Sequence, residues 1–342
     1  VLRPALASFA GLYATDLVET VDLRAHPEAL DRGWWAVVAT FEGRVTGHRF
    51  ARVGRGPVPP ASRPWHGPAP EAWTSSLDRA GYLAGVQRIR ERIAAGDVYQ
   101  VNLCRLLSAP LPADADPVVL AHRLAAANPA PFAGLVVTGD GEWVVTASPE
   151  LFLERAGDRV TSGPVKGTAP PGEPFAAKDL PENVMITDLV RNDLGRVARP
   201  GSVRVTALAA TEDHPGLRHL VSTVTAELRP GAGWADLLQA AFPPGSVSGA
   251  PKHTALQVIR ELEPVPRGPY CGAVGFVDGD RATARLAVGI RTFFTTAGPS
   301  RPASRLHFGT GAGITWASDP AAEWAETELK AGRLVGAASG QG

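Results

Sequence analysis

Strand and helix signals along this chain come in blocks and do not alternate, and that ordering decides the fold class. Period-two patterns such as Trp35-Ala36-Val37-Val38-Ala39 and Arg49-Phe50-Ala51-Arg52-Val53 crowd residues 1–55. Strands that follow one another pair antiparallel, whereas a doubly wound parallel sheet needs a helix after almost every strand. The pattern predicts helices over 77–95, 117–127, 179–198, 233–241, 249–262 and 319–335. Between them it predicts a strand over 98–107 and a hairpin over 133–154 turned at Gly139-Asp140-Gly141. Strands are expected over 202–210, 217–228 and 305–310, with a second hairpin over 271–296. Residues 55–71 hold six prolines and two glycines and are expected to run as a linker over the surface. No repeat of fixed period and no heptad is present. An α+β chain rich in antiparallel strands is the expectation.

Composition narrows the function classes. The 342 residues suffice for two domain-sized units or one large body. Basic and acidic residues number 34 each, so the net charge of zero argues against a chain built to hold nucleic-acid backbone. Hydrophobic residues at 44% against 20% charged imply a real core. Apolar runs fall short of the roughly 20 residues of a membrane span. The opening Val1-Leu2-Arg3-Pro4 lacks the layout of a secretory signal. Cys104 and Cys271 lie far apart with no metal spacing, as expected of two buried, reduced thiols in a cytoplasmic protein.

Only Lys166, Lys178, Lys252 and Lys330 are lysines; the other 30 basic residues are arginine. Where charge alone matters such a chain uses Arg, so each surviving lysine is a candidate for a compact or titratable ammonium, with chance survival on a solvated face as the alternative. Pro164-Val165-Lys166-Gly167-Thr168 places one of them at a strand end. A free amine of pKa about 10.4 is only about 0.04% neutral at pH 7, so a nucleophilic role needs a drop of around 2–3 units. The same string also suits a surface turn. Glu323, Glu326 and Lys330 share one face of the last helix, and Asp179 and Glu182 share one face of another. Two helices offering carboxylates could hold Mg²⁺; solvated stripes and helix-start acids are the plainer reading. Gln100 and Asn102 alternate with Val101 and Leu103, lining either a polar cavity or a solvent edge. Gly309-Thr310-Gly311-Ala312-Gly313 does not open a helix directly and fits no dinucleotide fingerprint; it reads as backbone N–H groups close to an anion, or as a tight turn. His219 is either an acid/base or a hydrogen-bonded core histidine. No Ser/His/Asp order or GxSxG elbow supports a hydrolase.

Several longer strings resemble the chorismate-utilising enzymes. They are Gly96-Asp97-Val98-Tyr99-Gln100-Val101-Asn102-Leu103, Ser148-Pro149-Glu150-Leu151-Phe152, the run from Glu182 to Asp193, Gly245-Ser246-Val247-Ser248-Gly249-Ala250-Pro251-Lys252, Tyr270-Cys271-Gly272, Gly289-Ile290-Arg291-Thr292 and Gly311-Ala312-Gly313-Ile314 with Asp319, Glu323 and Glu326. The resemblance runs in order from about residue 80 to 335. It implies two antiparallel-rich sheets packed as a sandwich with helices outside, as in anthranilate synthase component I. Residues 1–75 are expected to form a shortened N-terminal region on the 76–342 catalytic body, without the family's feedback-ligand segment.

The resemblance also implies roles. Glu182 and Glu326, with Glu323 assisting, are expected to hold Mg²⁺ against the ring carboxylate of chorismate. Arg291 is expected on the enolpyruvyl carboxylate. Gly311, Gly313, Ser248, Tyr270 and Lys330 would complete the anion cradle. Gln100 stands where water-adding members place a lysine, which is similar to the amine-adding branch. Lys166 stands where anthranilate synthases read Pro-Ile-Ala-Gly-Thr and resembles the nucleophile of aminodeoxychorismate synthases. Glu150 would be the general acid and His219 would orient the substrate. No Cys-His-Glu amidotransferase set is visible, so a glutamine amidotransferase partner is expected to supply ammonia. Anthranilate formation, isochorismate or salicylate formation, and a silent chorismate-binding subunit are the alternatives.

Overall fold

The computed structural model describes residues 4–58, 60, 64–176, 178–214, 217–296 and 305–339. Its first strands are β1 (Leu6–Phe9), β2 (Leu12–Asp22), β3 (Trp34–Ala39), β4 (Val45–Arg55), β5 (Thr74–Ser75) and β6 (Gln100–Pro110). The middle of the chain adds β7 (Phe132–Val137), β8 (Trp143–Ser148), β9 (Leu151–Ala156), β10 (Arg159–Gly163), β11 (Val165–Ala169), β12 (Arg204–His214) and β13 (Leu217–Glu227). The last are β14 (Gly249–Ala250), β15 (Ala273–Asp278), β16 (Thr283–Val288), β17 (Thr292–Thr296) and β18 (Arg305–Ile314). Helices are α1 (Arg79–Ala94), α2 (Pro117–Ala127), α3 (Asp179–Gly195), α4 (Trp234–Ala241), α5 (Lys252–Leu262) and α6 (Pro320–Ala338).

Helix starts follow from local chemistry. The Asp78 carboxylate accepts the Gly81 N–H at 2.7 Å, Asp116 accepts that of Val118 at 2.9 Å, and Asp319 accepts that of Ala322 at 2.9 Å. Each such cap satisfies a donor the helix cannot, contributing about 1 kcal/mol. Pro117 and Pro320 stand at first helical positions, where no N–H is needed.

All named strand pairs are antiparallel, and they join into one ladder. From one end it reads β12, β13, β10, β9, β16, β15, β3, β4, β2, β1, β7, β8, β17, β18 and β6. The strand β11 lies beside β13 at one end, and β5 and β14 lie beside β6 at the other. The expected sandwich is therefore a continuous ladder folded into two layers. The first four strands, spanning residues 6–55, are hydrogen-bonded into it, β1 to β7 and β3 to β15. One core gathers Trp35, Tyr82, Ile89 and Leu103; a second gathers Leu120, Leu124, Leu135, Phe293 and Phe308 under α2 and the end of α6. Each such side chain fully buried contributes about 1.5–3 kcal/mol.

Three expectations need correction. The 133–154 and 271–296 segments are each a hairpin plus a further strand: β9 leaves for β10 and β16, and β17 leaves for β8 and β18. The proline-rich segment is not wholly superficial, because Trp65 is buried in the second core and donates its indole N–H to the Ala338 carbonyl at 2.8 Å. The glycine-rich string is no turn: Gly309 to Gly313 lie within β18, paired residue by residue with Leu106 to Asn102 of β6.

Candidate active site

The two ends of the ladder meet at one place. In a strand, residues two apart share a face, and on β18 that face carries Gly309, Gly311 and Gly313. A Cβ built on Gly309 would lie 2.0 Å from the Tyr270 ring, on Gly311 2.6 Å from Cys104 Sγ, and on Gly313 2.3 Å from Gln100 Nε2. The Gly313 Cβ would also lie 3.3 Å from Lys166 Nζ. Glycine is needed here so that these side chains, or a ligand displacing them, can lie on the backbone. Lys166 belongs to β11 and Gln100 to β6, so the amine and the amide reach this face from opposite ends of the ladder. Gln100 and Asn102 are buried, which rules out a solvent-facing edge.

The helix α3 is fixed against the strand bearing Lys166. Asn183 donates its amide N–H to the carbonyls of Leu220 at 3.0 Å and Lys166 at 3.4 Å, and its oxygen accepts the Ser222 hydroxyl. Gly167 has φ +85°, and a Cβ there would lie 2.9 Å from that of Asp179. The glycine after the lysine is what lets the start of α3 pack so close. Asp179 itself accepts the Ala176 N–H at 2.9 Å.

Glu150 sits on the corner between β8 and β9 and is buried. The corner is tied by Ser148, which donates its hydroxyl to the Val288 carbonyl at 2.6 Å and accepts the Glu150 N–H at 3.2 Å. Burial pushes the Glu150 carboxyl up to about 7, although the Ser246 hydroxyl, Lys166 and the Val165 N–H all favour the anion. A cavity of about 20 Å³, lined by Glu150, Ser246, Ser162 and Asp193 among apolar side chains, lies beside it. Asp193 is held by Lys252 at 2.6 Å. Burial, reinforced by the charge of Lys330, drives the Lys166 amine below its usual range against the pull of Glu182, Glu150 and Glu326. Burial therefore moves Glu150 and Lys166 toward their neutral forms together.

Across from them stand the carboxylates of α3 and α6. Burial raises Glu182, opposed by Lys166 and Lys178, and its Oε1 is buried without a partner. Glu323 is 2% exposed; its Oε1 accepts the Ser318 hydroxyl at 2.6 Å and its Oε2 has no partner. Burial acts to raise Glu326 too, but Lys330, bonded to it at 2.6 Å, together with Lys178 and Lys166 outweighs burial and holds it below the usual carboxylate range. Lys330 also donates to the Gly311 carbonyl at 3.2 Å. Among the described residues no three His, Cys, Asp or Glu side chains stand close enough to enclose a metal ion. Mg²⁺ needs only one or two carboxylates, with water and an anionic ligand completing the octahedron, and the open oxygens of Glu182 and Glu323 fit that demand.

The remaining predicted residues lie further out. Ser248 donates its hydroxyl to the carbonyls of Pro244 at 3.1 Å and Gly245 at 3.3 Å, whereas Ser246, which the sequence reading did not select, is the serine on Glu150. Tyr270 lays its ring on Gly309 and its hydroxyl beside Cys104. Arg291, at φ +52°, turns its guanidinium to the Asn128 oxygen at 3.4 Å near Arg333. His219 is buried and shares a 2.9 Å hydrogen bond with Thr168. Lys178 reaches Glu323 and Glu326 and was legible only through the scarcity of lysine.

Comparison with known proteins agrees with this geometry. Residues 45–336 match the family described as chorismate binding enzyme. Anthranilate synthase component 1 of Streptomyces coelicolor is 42% identical over 278 residues, 78% of this chain and 52% of that protein. Aminodeoxychorismate synthase component 1 of Salmonella typhimurium is 38% identical over 278 residues, 77% of this chain and 59% of that protein. The chain thus spans little more than half the length of these relatives. The crystal structure of anthranilate synthase component I from Streptococcus pneumoniae superposes with a TM-score of 0.81 at 21% identity, covering 97% of this chain and 93% of that one, a likeness of fold. On the match across 45–336 and the identity to these relatives, the chain belongs to the chorismate-binding enzyme family.

Proposed function

We propose that the protein is an aminodeoxychorismate synthase component I, converting chorismate and ammonia to 4-amino-4-deoxychorismate and water. Overall identity does not choose, since an anthranilate synthase and an aminodeoxychorismate synthase are both similar to the chain. The observation that carries the choice is Lys166, a part-buried lysine whose amine is driven below its usual range and set between Gln100, Gly313 and a carboxyl raised to about 7.

Chorismate brings two carboxylates. Glu182, Glu326 and Glu323 are assigned to Mg²⁺, which when bound supplies positive charge to the ring carboxylate. Arg291, with Arg333 near it, takes the enolpyruvyl carboxylate as a planar fork. The bare face of Gly311 and Gly313 gives the ring room, and Ser248 and Tyr270 bound the cradle. His219 orients the substrate from the strand beside β11. Glu182 and Glu326 both favour the protonated form of Lys166, and that pull would weaken were their charge taken up by a bound cation. The amine then bonds to C2 while the C4–O bond breaks, and Glu150 donates the proton that turns the departing hydroxide into water. The attacking nitrogen passes one proton to the Glu150 carboxylate and becomes a neutral secondary amine. Ammonia then bonds to C4 while the C2–N bond breaks with its electron pair returning to Lys166, which takes the proton back from Glu150 and leaves as the free amine; the new C4 ammonium gives one proton to Glu150, restoring the acid. A glutamine amidotransferase partner is the proposed source of ammonia.

Incubation with chorismate, Mg²⁺ and an ammonium salt tests this reading. 4-Aminobenzoate, formed after a lyase is added, is the expected product. Fluorescent anthranilate would overturn it, as would isochorismate or salicylate in ammonia-free buffer. Calorimetric binding of chorismate without turnover under any amine supply would instead indicate a silent subunit.

A further inference from the structure

Three of the four lysines pair with carboxylates, and they do so in different ways. Lys252 lies 2.6 Å from Asp193 and Lys330 lies 2.6 Å from Glu326, both tight charge-assisted bonds. Lys178 stands 3.4 Å from Glu323 Oε1 and 3.7 Å from Glu326 Oε2, too far for a good bond to either. It is suspended between two carboxylates from α6, with Glu182 one turn along its own helix. Its side chain is 40% exposed, at the rim, whereas that of Glu323 is 3% exposed and leaves Oε2 without a partner. A flexible stem with a path to solvent holds a charge loosely between Glu323 and Glu326, with Glu182 also attracting it.

We propose that Lys178 is a resident counter-cation, filling the space among Glu182, Glu323 and Glu326 in the metal-free protein and leaving it when a divalent cation enters. The inference rests on the proposed assignment of Mg²⁺ to these carboxylates. Lys178 stands 3.4 Å from Glu323 and 3.7 Å from Glu326, where a cation shared by these carboxylates would stand. An ammonium in that space keeps three converging acids from facing one another unscreened, at the expense of metal affinity. Lys178 is thereby a residue that sets how much Mg²⁺ the protein needs, and it acts through the carboxylates without touching substrate.

Magnesium titration of the full chain by calorimetry, without chorismate and at fixed pH and ionic strength, tests the competition. Lys178→Met keeps the stem and removes the charge; it should bind Mg²⁺ at least ten-fold more tightly than the unaltered chain. Lys178→Arg keeps a charge and should stay within three-fold of it or bind more weakly. In the unaltered chain, acetylation of Lys178 by limiting acetic anhydride, read by peptide mass spectrometry, should rise several-fold when Mg²⁺ is added. Affinity unchanged or weakened in Lys178→Met, or labelling indifferent to Mg²⁺, overturns the role of the lysine and leaves the metal assignment standing. Absence of Mg²⁺ binding in all three chains overturns the metal assignment and this inference with it.

Discussion

Two groups of buried charge in this molecule are built on opposite rules. Around Arg267, everything is partnered. Its guanidinium donates to both oxygens of Glu263 at 2.7 and 2.6 Å and to the carbonyls of Val247 and Asn102 at 2.8 Å each, and it lies over the Phe41 ring. Glu263 also accepts the Cys104 N–H at 2.9 Å. Around Lys166 and Lys178, acceptors are left open. Of seven buried side-chain polar atoms without a partner among the described residues, Gln100 Oε1, Glu182 Oε1 and Glu323 Oε2 belong to the site and Asn128 Nδ2 to the partner of Arg291. A buried acceptor without a donor costs about 1–3 kcal/mol. Where the chain needs one rigid arrangement it completes the hydrogen bonding, and where a ligand is to bring its own donors or charge it does not.

The contrast can be broken at either group. The largest effect expected is that of Lys166→Ala, which should slow product formation roughly 10³-fold or more while leaving the urea midpoint near that of the unaltered chain. Intact-mass analysis should trap a substrate adduct only where Lys166 is present. Equal rates would dismiss covalent catalysis. Arg267→Met should do the reverse, destabilising by about 3–5 kcal/mol in urea because the buried Glu263 loses its counter-charge and keeps only the Cys104 N–H; a loss below about 1 kcal/mol would mean the two groups are not different in kind. Glu150→Gln sharpens the comparison through pH. The carboxyl is raised in the folded chain, so stability tied to it is complete at low pH and lost as pH rises from about 4.5 through about 7. Removing the ionisation should therefore stabilise the chain at pH 8 by about 3 kcal/mol and have no effect at pH 4, as seen in paired melts. The rate of the unaltered enzyme should fall above about pH 7 as the acid loses its proton. The smallest effect is that of Gly313→Ala, roughly 1–3 kcal/mol, since the far end of Gln100 can shift from the added methyl. Its turnover should suffer more than its stability.

The blocks of strand signal already pointed to antiparallel pairing, and helix ends with an Asp followed by Pro, at 116–117 and 319–320, were readable because capping is local. What escaped was non-local. Nothing within 151–156 or 292–296 says that these strands leave their hairpins, because the partners are chosen by layers formed elsewhere. The glycine string could be read either as backbone close to an anion or as a turn, because its glycines serve a face, and a face exists only once β6 lies alongside. Ser246 and Ser248 look alike in sequence, and only the corner at Glu150 tells them apart. The rarity of lysine proved a better guide than any single motif: three of the four stand among the carboxylates, and the fourth holds Asp193 beside the cavity at Glu150.

The meeting of the two ladder ends has a consequence for biogenesis. Gln100 comes first, Lys166 and Glu182 well after it, and Gly313, Glu326 and Lys330 later again, so a growing polypeptide cannot assemble this set until residues 313–330 have left the ribosome. Contacts so distant in sequence form slowly. Until they do, the amine at 166 remains an ordinary, protonated lysine, and the nascent chain is chemically inert toward whatever it will later transform.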